Sequence, residues 1–320
     1  MKILAVQNRM GIGDTVIFLP FIKALYKKFN SPVSLLVKEN SKADQYLHQT
    51  YYIDKILLLE KDFKNENRRI GFLGSINLIR DLRKYNFDKI FIFNSSFRFY
   101  LIAKFSGIPE IYQYPLFKKY GQHITDTPKK FIKHKLNLDV NEDPEIHIEK
   151  DISSNLIKKF QINKKENNIL LGIGGSGPTK RIPSKIYLSV IDKISSTMKC
   201  KFFLATGKNN DEQIILSEIL DSKFKNLCVP LDNFSIKETL PIIKNCNLAI
   251  CNDTSFGHLS AALGVKTITL MADTPLIYGN YSSKMFPIIP DGEITVSHNT
   301  LGKEKIDPQK IFEKFIEIID

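Results

Sequence analysis

Residues 252–264 read NDTSFGHLSAALG and lie between two apolar runs, Leu248–Ile250 and Thr267–Leu270. This order predicts a buried strand, a turn, a helix, a short loop and a second strand. Asp253 and Thr254 fall where the first strand ends and the helix begins. There, unpaired backbone N–H groups and the positive end of the helix dipole favour an anionic ligand. Asp and Thr are also common N-cap residues, so the stretch by itself is consistent with either a capped helix or a ligand site.

Strand and helix patterns alternate along the rest of the chain. Apolar runs predict further strands at Ile3–Val6, Val33–Val37, Ile56–Leu59, Lys89–Phe93, Asn168–Gly172 and Lys201–Thr206. Amphipathic periodicity predicts helices at Thr15–Phe29, Ile76–Lys84, Phe99–Phe105, Pro128–Leu136, Ser184–Met198, Asp211–Leu220 and Ser235–Lys244, and a last helix after Asp307-Pro308. Pro20 predicts a kink or a late start in the first helix. This alternation predicts the α/β class, with a parallel sheet covered by helices on both sides.

The chain is long enough for two such domains, because 320 residues exceed the usual size of one. The strand–helix pattern restarts at Asn168, after a stretch from Ile152 to Asn167 in which Lys, Asn and Glu dominate. We therefore predict two α/β domains of similar size, residues 1–155 and 156–320, with a cleft between them.

The formal net charge is +12. Such a field attracts nucleic acid, nucleotides, phosphorylated sugars or an acidic membrane surface, without choosing among them. The sequence contains no recognisable nucleic-acid-binding module, and its aromatic residues do not interleave regularly with Lys and Arg as stacking platforms would. We therefore predict no nucleic-acid partner.

The four cysteines, Cys200, Cys228, Cys246 and Cys251, form no C-x-x-C pair. Buried free thiols in a reducing compartment are the interpretation we adopt. The N-terminus leads directly into a strand, without a signal-peptide pattern, and no apolar run approaches the ~20 residues of a membrane span. These features predict a cytoplasmic protein.

The turn Gly11-Ile12-Gly13-Asp14 follows the first predicted strand, at the edge where open α/β sheets bind ligands. Val16 stands where the dinucleotide fingerprint requires a third glycine, so the motif does not predict a nicotinamide site. Asp14 is either the cap of the next helix or a general base within reach of a substrate hydroxyl, and both roles can hold together.

Residues 172–183 read GIGGSGPTKRIP and match G-x-G-x-x-G directly after a strand. Pro178 stands where a Walker A loop has its lysine, which excludes that motif. Small residues let backbone N–H groups approach phosphate oxygens, and Ser176, Lys180 and Arg181 add a hydroxyl and two positive charges. We predict a phosphate-binding loop; a glycine turn beside a solvated basic pair is the alternative.

Three segments resemble, in their order and spacing, the motifs of glycosyltransferase family 9, the heptosyltransferase family of lipopolysaccharide core synthesis. They are Gly11–Asp14 with the following Pro20, Gly174–Pro183, and Asp253–Gly264. The resemblance covers nearly the whole chain. Within the last segment we interpret His258 as a hydrogen-bonded packing residue.

The resemblance implies the GT-B fold, in which two Rossmann-like domains lie across a cleft from each other. The amino-terminal half would bind the acceptor and the carboxy-terminal half the nucleotide-sugar. The reaction would be an inverting transfer of a sugar to a lipopolysaccharide-type or other surface glycan acceptor. The leading candidate for the sugar is heptose, carried by an ADP-heptose-like donor. It would use no cofactor and no tightly bound metal.

The resemblance also assigns roles to particular residues. The catalytic base would be Asp14, and acceptor binding would involve Arg9 and Gly13. The donor-binding residues would be Gly175, Ser176, Lys180, Asp211, Asp253, Thr254 and Ser255. Glu212 is an alternative to Asp211 for holding the ribose hydroxyls.

The chain departs from the family pattern at Ser255, where a glycine is usual, and at Ile182, where a tryptophan is usual. Two alternatives therefore stay open: a transferase for a different sugar nucleotide, and a catalytically silent sugar-nucleotide-binding protein. The positive charge suits a lipid-linked phosphorylated acceptor and peripheral contact with the inner membrane, and solvated basic faces are the equal alternative. Lys118-Lys119 and Lys129-Lys130 are the expected acceptor-side or membrane-side charges.

Overall fold

The computed structural model describes residues 1–60, 68–116, 123–148, 158, 160, 162 and 165–319. The chain divides into two compact units, Met1–His147 and Ile148–Asp320. Residues 155 and 156, between which the boundary is predicted, lie outside the described residues, as do Lys118 and Lys119.

The first unit contains a parallel sheet. Its strands are β1 (Ile3–Gln7), β2 (Val33–Val37), β3 (Ile53–Leu58), β4 (Lys89–Ile92) and β5 (Glu110–Gln113). They are arranged in the order β3-β2-β1-β4-β5, and every neighbouring pair is parallel. Strand β5 is not predicted from the sequence. It is a short edge strand that is only partly buried, and it lacks an apolar run.

The helices of the first unit are α1 (Ile12–Phe29), α2 (Ala43–Tyr46), α3 (Gly71–Tyr85), α4 (Phe97–Phe105) and α5 (Asp126–Leu136). The prediction of a late start for α1 is wrong, because the helix begins directly after Gly11 and runs through Pro20. Every side chain from Thr15 to Ile22 is buried, and this packing stabilises the helix despite the proline.

The second unit contains a second parallel sheet. Its strands are β6 (Asn167–Gly172), β7 (Cys200–Ala205), β8 (Cys228–Pro230), β9 (Leu248–Asn252), β10 (Lys266–Leu270) and β11 (Met285–Ile288). Their order is β11-β10-β9-β6-β7-β8, and neighbouring strands are again parallel. Read in chain order within this unit, the strands follow the arrangement of a doubly wound dinucleotide-binding sheet.

The helices of the second unit are α6 (Ser184–Thr197), α7 (Asn210–Leu220), α8 (Ile236–Lys244), α9 (Ser255–Ala262) and α10 (Pro308–Ile319). Ser235 and Glu238 form the predicted capping box at α8. The Gln309 N–H donates to Asp307 Oδ1 at 2.8 Å at the start of α10. The apolar stripe of α10 packs into the core of this unit through Ile311, Phe315 and Ile318.

All four cysteines are free and buried, as the sequence predicts. Burial raises the pKa of the Cys200 thiol to about 11 and that of Cys251 to about 12. These thiols are therefore protonated at neutral pH and behave as core residues. Among the described residues, no helix is both long enough and apolar enough to cross a bilayer.

Candidate functional site

The order of strands changes direction between β6 and β9 in the second unit. In open α/β sheets, loops that leave such a switch point diverge and form a crevice beyond the carboxyl ends of the strands. The glycine loop, residues 173–183, follows β6, and Asp253-Thr254 follow β9. Gly172 pairs with Cys251 across these two strands. The two predicted donor-binding motifs therefore leave the same edge of the sheet side by side.

A direct ion pair joins the two motifs. Lys180 Nζ lies 2.6 Å from Asp253 Oδ2, and the side chains are 23% and 9% exposed. Burial acts to raise the pKa of Asp253, but the hydrogen bond and charge of His258 and the ammonium of Lys180 outweigh it and hold the pKa well below its usual range. Asp253 is thus a carboxylate at neutral pH, and it positions the lysine at the switch point.

His258 lies in the first turns of α9 beside Asp253. Its Nε2 is 3.7 Å from Asp253 Oδ1, while its Nδ1 is 2.7 Å from the Tyr281 hydroxyl. The histidine ring also stacks on the Tyr281 ring, with centroids 5.6 Å apart. His258 is buried and hydrogen bonded, in agreement with the sequence interpretation, and it also contributes to the electrostatics of Asp253.

Asn252, the last residue of β9, binds the start of the glycine loop through its side chain. Its side-chain amide donates to the carbonyls of Ile173 at 3.0 Å and Gly174 at 2.9 Å. The Tyr187 hydroxyl in turn donates to Asn252 Oδ1 at 2.7 Å. No role is predicted for Asn252 from the sequence, although a polar residue at the end of a buried strand is a signal for one.

A buried carboxylate, Glu212, orders the middle of the glycine loop. Its Oε1 accepts a hydrogen bond from Gly175 N at 2.6 Å, and Asn209 Nδ2 donates to its Oε2. A Cβ atom on Gly174 or Gly207 would overlap this carboxylate. A larger residue at either position would therefore have to displace the Glu212 carboxylate. The amide of Gly175, predicted to bind donor, is engaged by Glu212.

Arg181 makes two contacts that hold the glycine loop. Its Nε donates to Gly175 O at 2.9 Å, and its Nη1 lies 2.6 Å from Asp211 Oδ2. Asp211, predicted to hold ribose, is therefore ion-paired at the rim of the loop, with its side chain 68% exposed. Ser176 is exposed at the tip of the loop.

Three threonine hydroxyls lie just beyond the carboxyl ends of strands in this unit. Thr206 follows β7, Thr254 follows β9, and Thr274 comes shortly after β10. Each hydroxyl is buried and has no hydrogen-bond partner within the described part of the chain. Since buried polar atoms are normally paired, a water molecule or a polar ligand would supply the partner of each hydroxyl.

Thr254 is the N-cap residue of α9, in extended conformation, and its side chain makes no capping hydrogen bond. Thr254 therefore occupies the N-cap position that the sequence predicts, but its side chain does not cap the helix. Ser255 is the first residue of α9 and has a helical backbone. A serine in place of the family's glycine thus meets no backbone strain here.

Asp273 is a further acidic group at this edge, and no role is predicted for it from the sequence. Burial acts to raise its pKa, but the Leu301 N–H, at 2.9 Å from Oδ1, and the Thr179 hydroxyl lower it overall. Because Thr179 belongs to the glycine loop, Asp273 ties the end of β10 to that loop. No role could be predicted for Asp273 because it is far from the glycine loop in the sequence.

In the first unit the predicted base lies at the corresponding switch point, between β1 and β4. Gly11 has a φ of 129° and is the N-cap residue of α1, which places Asp14 in the first helical turn. The interpretation of Asp14 as the helix cap is therefore wrong. Asp14 Oδ2 lies 3.6 Å from the position a Cβ on Gly11 would take, so its carboxylate lies close to the glycine turn.

The other predicted residues of the first unit lie in the same turn. Gln7 Nε2 donates to the Asp14 carbonyl at 3.3 Å, and the Arg9 N–H donates to Gln7 Oε1 at 3.1 Å. Asn94 Nδ2, which follows β4, donates to Asn8 Oδ1 at 3.3 Å. The loops after β1 and β4 are thus linked by a side-chain hydrogen bond at this switch point. Gly13 is the second residue of α1.

Each unit therefore has the architecture of a nucleotide-binding α/β domain, and the second carries a glycine-lined edge at which Lys180 and Arg181 are held by ion pairs. Residues 76–300 match the sequence model of glycosyltransferase family 9 (heptosyltransferase). The chain belongs to this family, as its motifs predict, and it has the GT-B fold.

Relatives support this assignment over most of the chain. Lipopolysaccharide heptosyltransferase 1 of Campylobacter coli is 24% identical over 95% of this chain and 93% of its own length. The solved structure of Escherichia coli ADP-heptose lps heptosyltransferase II has a TM-score of 0.75 at 18% identity, covering 100% of this chain and 98% of that one. Escherichia coli heptosyltransferase WaaC with ADP has a TM-score of 0.72 at 13% identity, with complete coverage of both chains.

Proposed function

We propose that this protein is an inverting glycosyltransferase that moves heptose from an ADP-linked donor to a lipopolysaccharide-type acceptor. The observation that carries the proposal is the Lys180–Asp253 pair at the switch point of the second unit. The names of the relatives support the substrate classes: they are lipopolysaccharide or lipooligosaccharide heptosyltransferases, and one solved structure contains ADP.

The second unit would hold the donor diphosphate. The Lys180 ammonium would bind a phosphate oxygen while staying paired with Asp253, and the Thr254 hydroxyl at the start of α9 would donate to another. The α9 dipole adds to the stabilisation of negative charge there. As the glycosidic bond breaks, the departing diphosphate gains charge, and preorganised donors of this kind stabilise that transition state.

The first unit would bind and activate the acceptor. Asp14 would take the proton of an acceptor hydroxyl, whose oxygen then forms a bond to the anomeric carbon of the sugar. The bond from that carbon to the diphosphate breaks at the opposite side, and its electron pair leaves with the nucleoside diphosphate. The anomeric configuration is thereby inverted. Arg9 and Gly13 would position the acceptor, and no step requires a metal ion or a cofactor.

The donor class is tested by thermal shift with the full chain and ADP, UDP, GDP or CDP. We expect ADP to raise the melting temperature most. If none of the four nucleotides stabilises the protein, the proposal of a nucleotide-sugar site is wrong.

Transfer is tested with ADP-heptose and a heptose-deficient lipopolysaccharide acceptor, followed by mass spectrometry. Replacing Asp14 by Asn should lower the transfer rate by about 100-fold or more, because general-base catalysis is lost, while stabilisation by ADP stays as in the wild type. Asp44→Asn, at an exposed aspartate in α2, is the matched control. Normal turnover by Asp14→Asn would overturn the base assignment.

A catalytically silent nucleotide-sugar binder is the second candidate, because Ser255 stands where the family usually has a glycine, even though the serine meets no backbone strain. The same assay separates the two. An active enzyme forms product with the acceptor present, whereas a silent binder is stabilised by ADP but neither transfers the sugar nor hydrolyses the donor.

A further inference from the structure

The connection between β10 and β11, residues 271–284, carries a tyrosine that packs on His258. The Tyr281 hydroxyl lies 2.7 Å from His258 Nδ1, and the two rings stack with centroids 5.6 Å apart and an angle of 20° between their planes. The hydrogen bond fixes the rotation of the imidazole about its bond to Cβ, and the stack fixes its tilt. Tyr281 therefore holds the His258 ring in one orientation.

This connection is itself ordered on both sides of Tyr281. The Thr269 hydroxyl, from β10, donates to the Gly279 carbonyl at 2.9 Å. On the other side, the Met285 N–H donates to the Ser282 carbonyl at 3.0 Å, where β11 begins. The tyrosine is thus presented to the histidine by a segment whose backbone is fixed close to the ring on either side.

The groups around the imidazole decide where its proton lies. Asp253 is a carboxylate at neutral pH and has no proton to donate, and His258 Nε2 faces its Oδ1 at 3.7 Å. The ring proton therefore belongs on Nε2, where it is attracted to the carboxylate. Nδ1 of the neutral ring then has no proton and accepts a hydrogen bond from the Tyr281 hydroxyl. Turning the ring by about 180° would exchange both nitrogens for carbon atoms and break both contacts.

The same carboxylate holds Lys180 through its other oxygen. Lys180 Nζ lies 2.6 Å from Asp253 Oδ2, while His258 faces Oδ1. The side chains of Asp253 and His258 are 9% and 7% exposed, so water does little to screen the contact between them. The orientation of the imidazole therefore influences that of the carboxylate, and the carboxylate sets the position of the ammonium.

We propose that Tyr281 is a positioning residue of the donor site. Its hydroxyl and ring hold His258 Nε2 towards Asp253 Oδ1, and Oδ2 then orients Lys180 towards a phosphate of the donor diphosphate. Tyr281 acts through His258 rather than through a contact of its own with the donor. The inference rests on the proposed function, since it concerns the affinity of the same site for a nucleoside diphosphate.

The first test is calorimetric titration of the full chain with ADP. Tyr281→Phe removes the hydroxyl and keeps the ring, and we expect it to weaken ADP binding about fivefold, the effect of one hydrogen bond. Tyr278→Phe is the matched control, because it removes a hydroxyl from a half-buried tyrosine of the same connection, and it should bind ADP as the wild type does. Wild-type ADP affinity in Tyr281→Phe would overturn the inference.

A double-mutant cycle shows whether Tyr281 acts through His258. Tyr281→Phe should weaken ADP binding in the wild-type background and should have no further effect in His258→Ala, because the hydroxyl then has no imidazole to hold. A general structural effect of losing the hydroxyl would instead lower the affinity about equally in both backgrounds, and this result would also overturn the inference. Melting temperatures of the four proteins are measured alongside, so that a loss of folding is recognised.

Nitrogen-15 NMR of the histidine rings tests the geometry without any ligand. The chain has six histidines, and the signals of His258 are those missing from the His258→Ala spectrum. At neutral pH we expect a protonated Nε2 and an unprotonated, hydrogen-bonded Nδ1 in the wild type. In Tyr281→Phe the Nδ1 signal should shift towards that of a ring nitrogen without a hydrogen bond. A wild-type Nδ1 that carries a proton, or an Nδ1 signal that Tyr281→Phe does not move, would contradict the inference.

The outcomes separate this inference from the proposed function. If ADP binds neither the wild type nor any variant, the nucleotide-sugar site itself is wrong and the inference fails with it. If ADP binds the wild type and Tyr281→Phe with equal affinity, the site stands and only the role of Tyr281 is wrong.

Discussion

Lys180 and Asp253 show at the scale of single residues how the second unit prepares an anion site. The lysine would be a solvated surface charge in isolation. Here the mostly buried carboxylate of Asp253, 2.6 Å away, fixes the position of Lys180. The lysine side chain therefore loses little conformational entropy when a phosphate binds.

Lys180→Ala should weaken ADP binding by about 10- to 100-fold, the range expected for a charge-assisted hydrogen bond. Isothermal titration calorimetry measures the change. Lys185→Ala is the control, because Lys185 is a nearby lysine whose side chain is 71% exposed and pairs with Glu304. Equal ADP affinity in Lys180→Ala and the wild type would exclude Lys180 from the donor site.

The ion pair also predicts a pH dependence of stability. The pKa of Asp253 is lower in the folded protein than in the unfolded chain, so its stabilising contribution is full above the ordinary carboxyl pKa of about 3.9 and is lost as the pH falls below it. The melting temperature of Asp253→Asn should therefore lie below that of the wild type at pH 7, and the difference should shrink as the pH is lowered towards 3. A difference that stays constant with pH would show that the carboxylate charge is not what stabilises the fold.

At the scale of elements, the glycine loop is ordered by contacts from three other segments. Asn252 holds its first two residues, Glu212 holds Gly175, and Asp273 holds Thr179. These three side chains come from segments that are far from the loop in sequence. The loop is thus a preorganised part of the sheet edge, and its glycines make room for these contacts.

Gly174→Ala tests this arrangement. The added methyl group would overlap Glu212 Oε1, so the carboxylate must move away from Gly175 N. We expect a lower melting temperature, equivalent to about 1–3 kcal/mol for one disrupted buried hydrogen bond, together with weaker ADP binding. Gly177→Ala is the control, since its nearest atom would be Thr179 Oγ1 at 4.0 Å. Equal melting temperatures for the two variants would contradict a space requirement at Gly174.

At the scale of the whole molecule, the formal net charge of +12 is opposite in sign to that of the proposed substrates. Raising the salt concentration from about 0.05 M to about 0.5 M should weaken ADP binding several-fold, while adenosine binding should change little, because screening acts on the diphosphate charge. Calorimetric titrations with both ligands measure this. The same salt response for adenosine and ADP would show that the charge of the protein does not contribute to donor affinity.

The sequence predicted most elements that bury an apolar run, including β1, β2, β9 and the helix α10. It missed β5, β8 and β11, which are short strands in the outer part of a sheet with three or four residues each. Such strands owe their conformation to pairing with a neighbour more than to local pattern. The early start of α1 was missed because Pro20 suggested a break that core packing overrides.

The sequence by itself determined the α/β class, the family and the two motifs at the ends of β6 and β9, because apolar periodicity and glycine spacing are local properties of the chain. Only the tertiary structure decided which groups meet at the second unit's sheet edge. The pairing of Lys180 with Asp253, the burial of Glu212 against Gly175 and the unpartnered hydroxyls of Thr206, Thr254 and Thr274 depend on strand order. Strand order brings distant segments together and is set by the packing of the whole sheet, which no local pattern records.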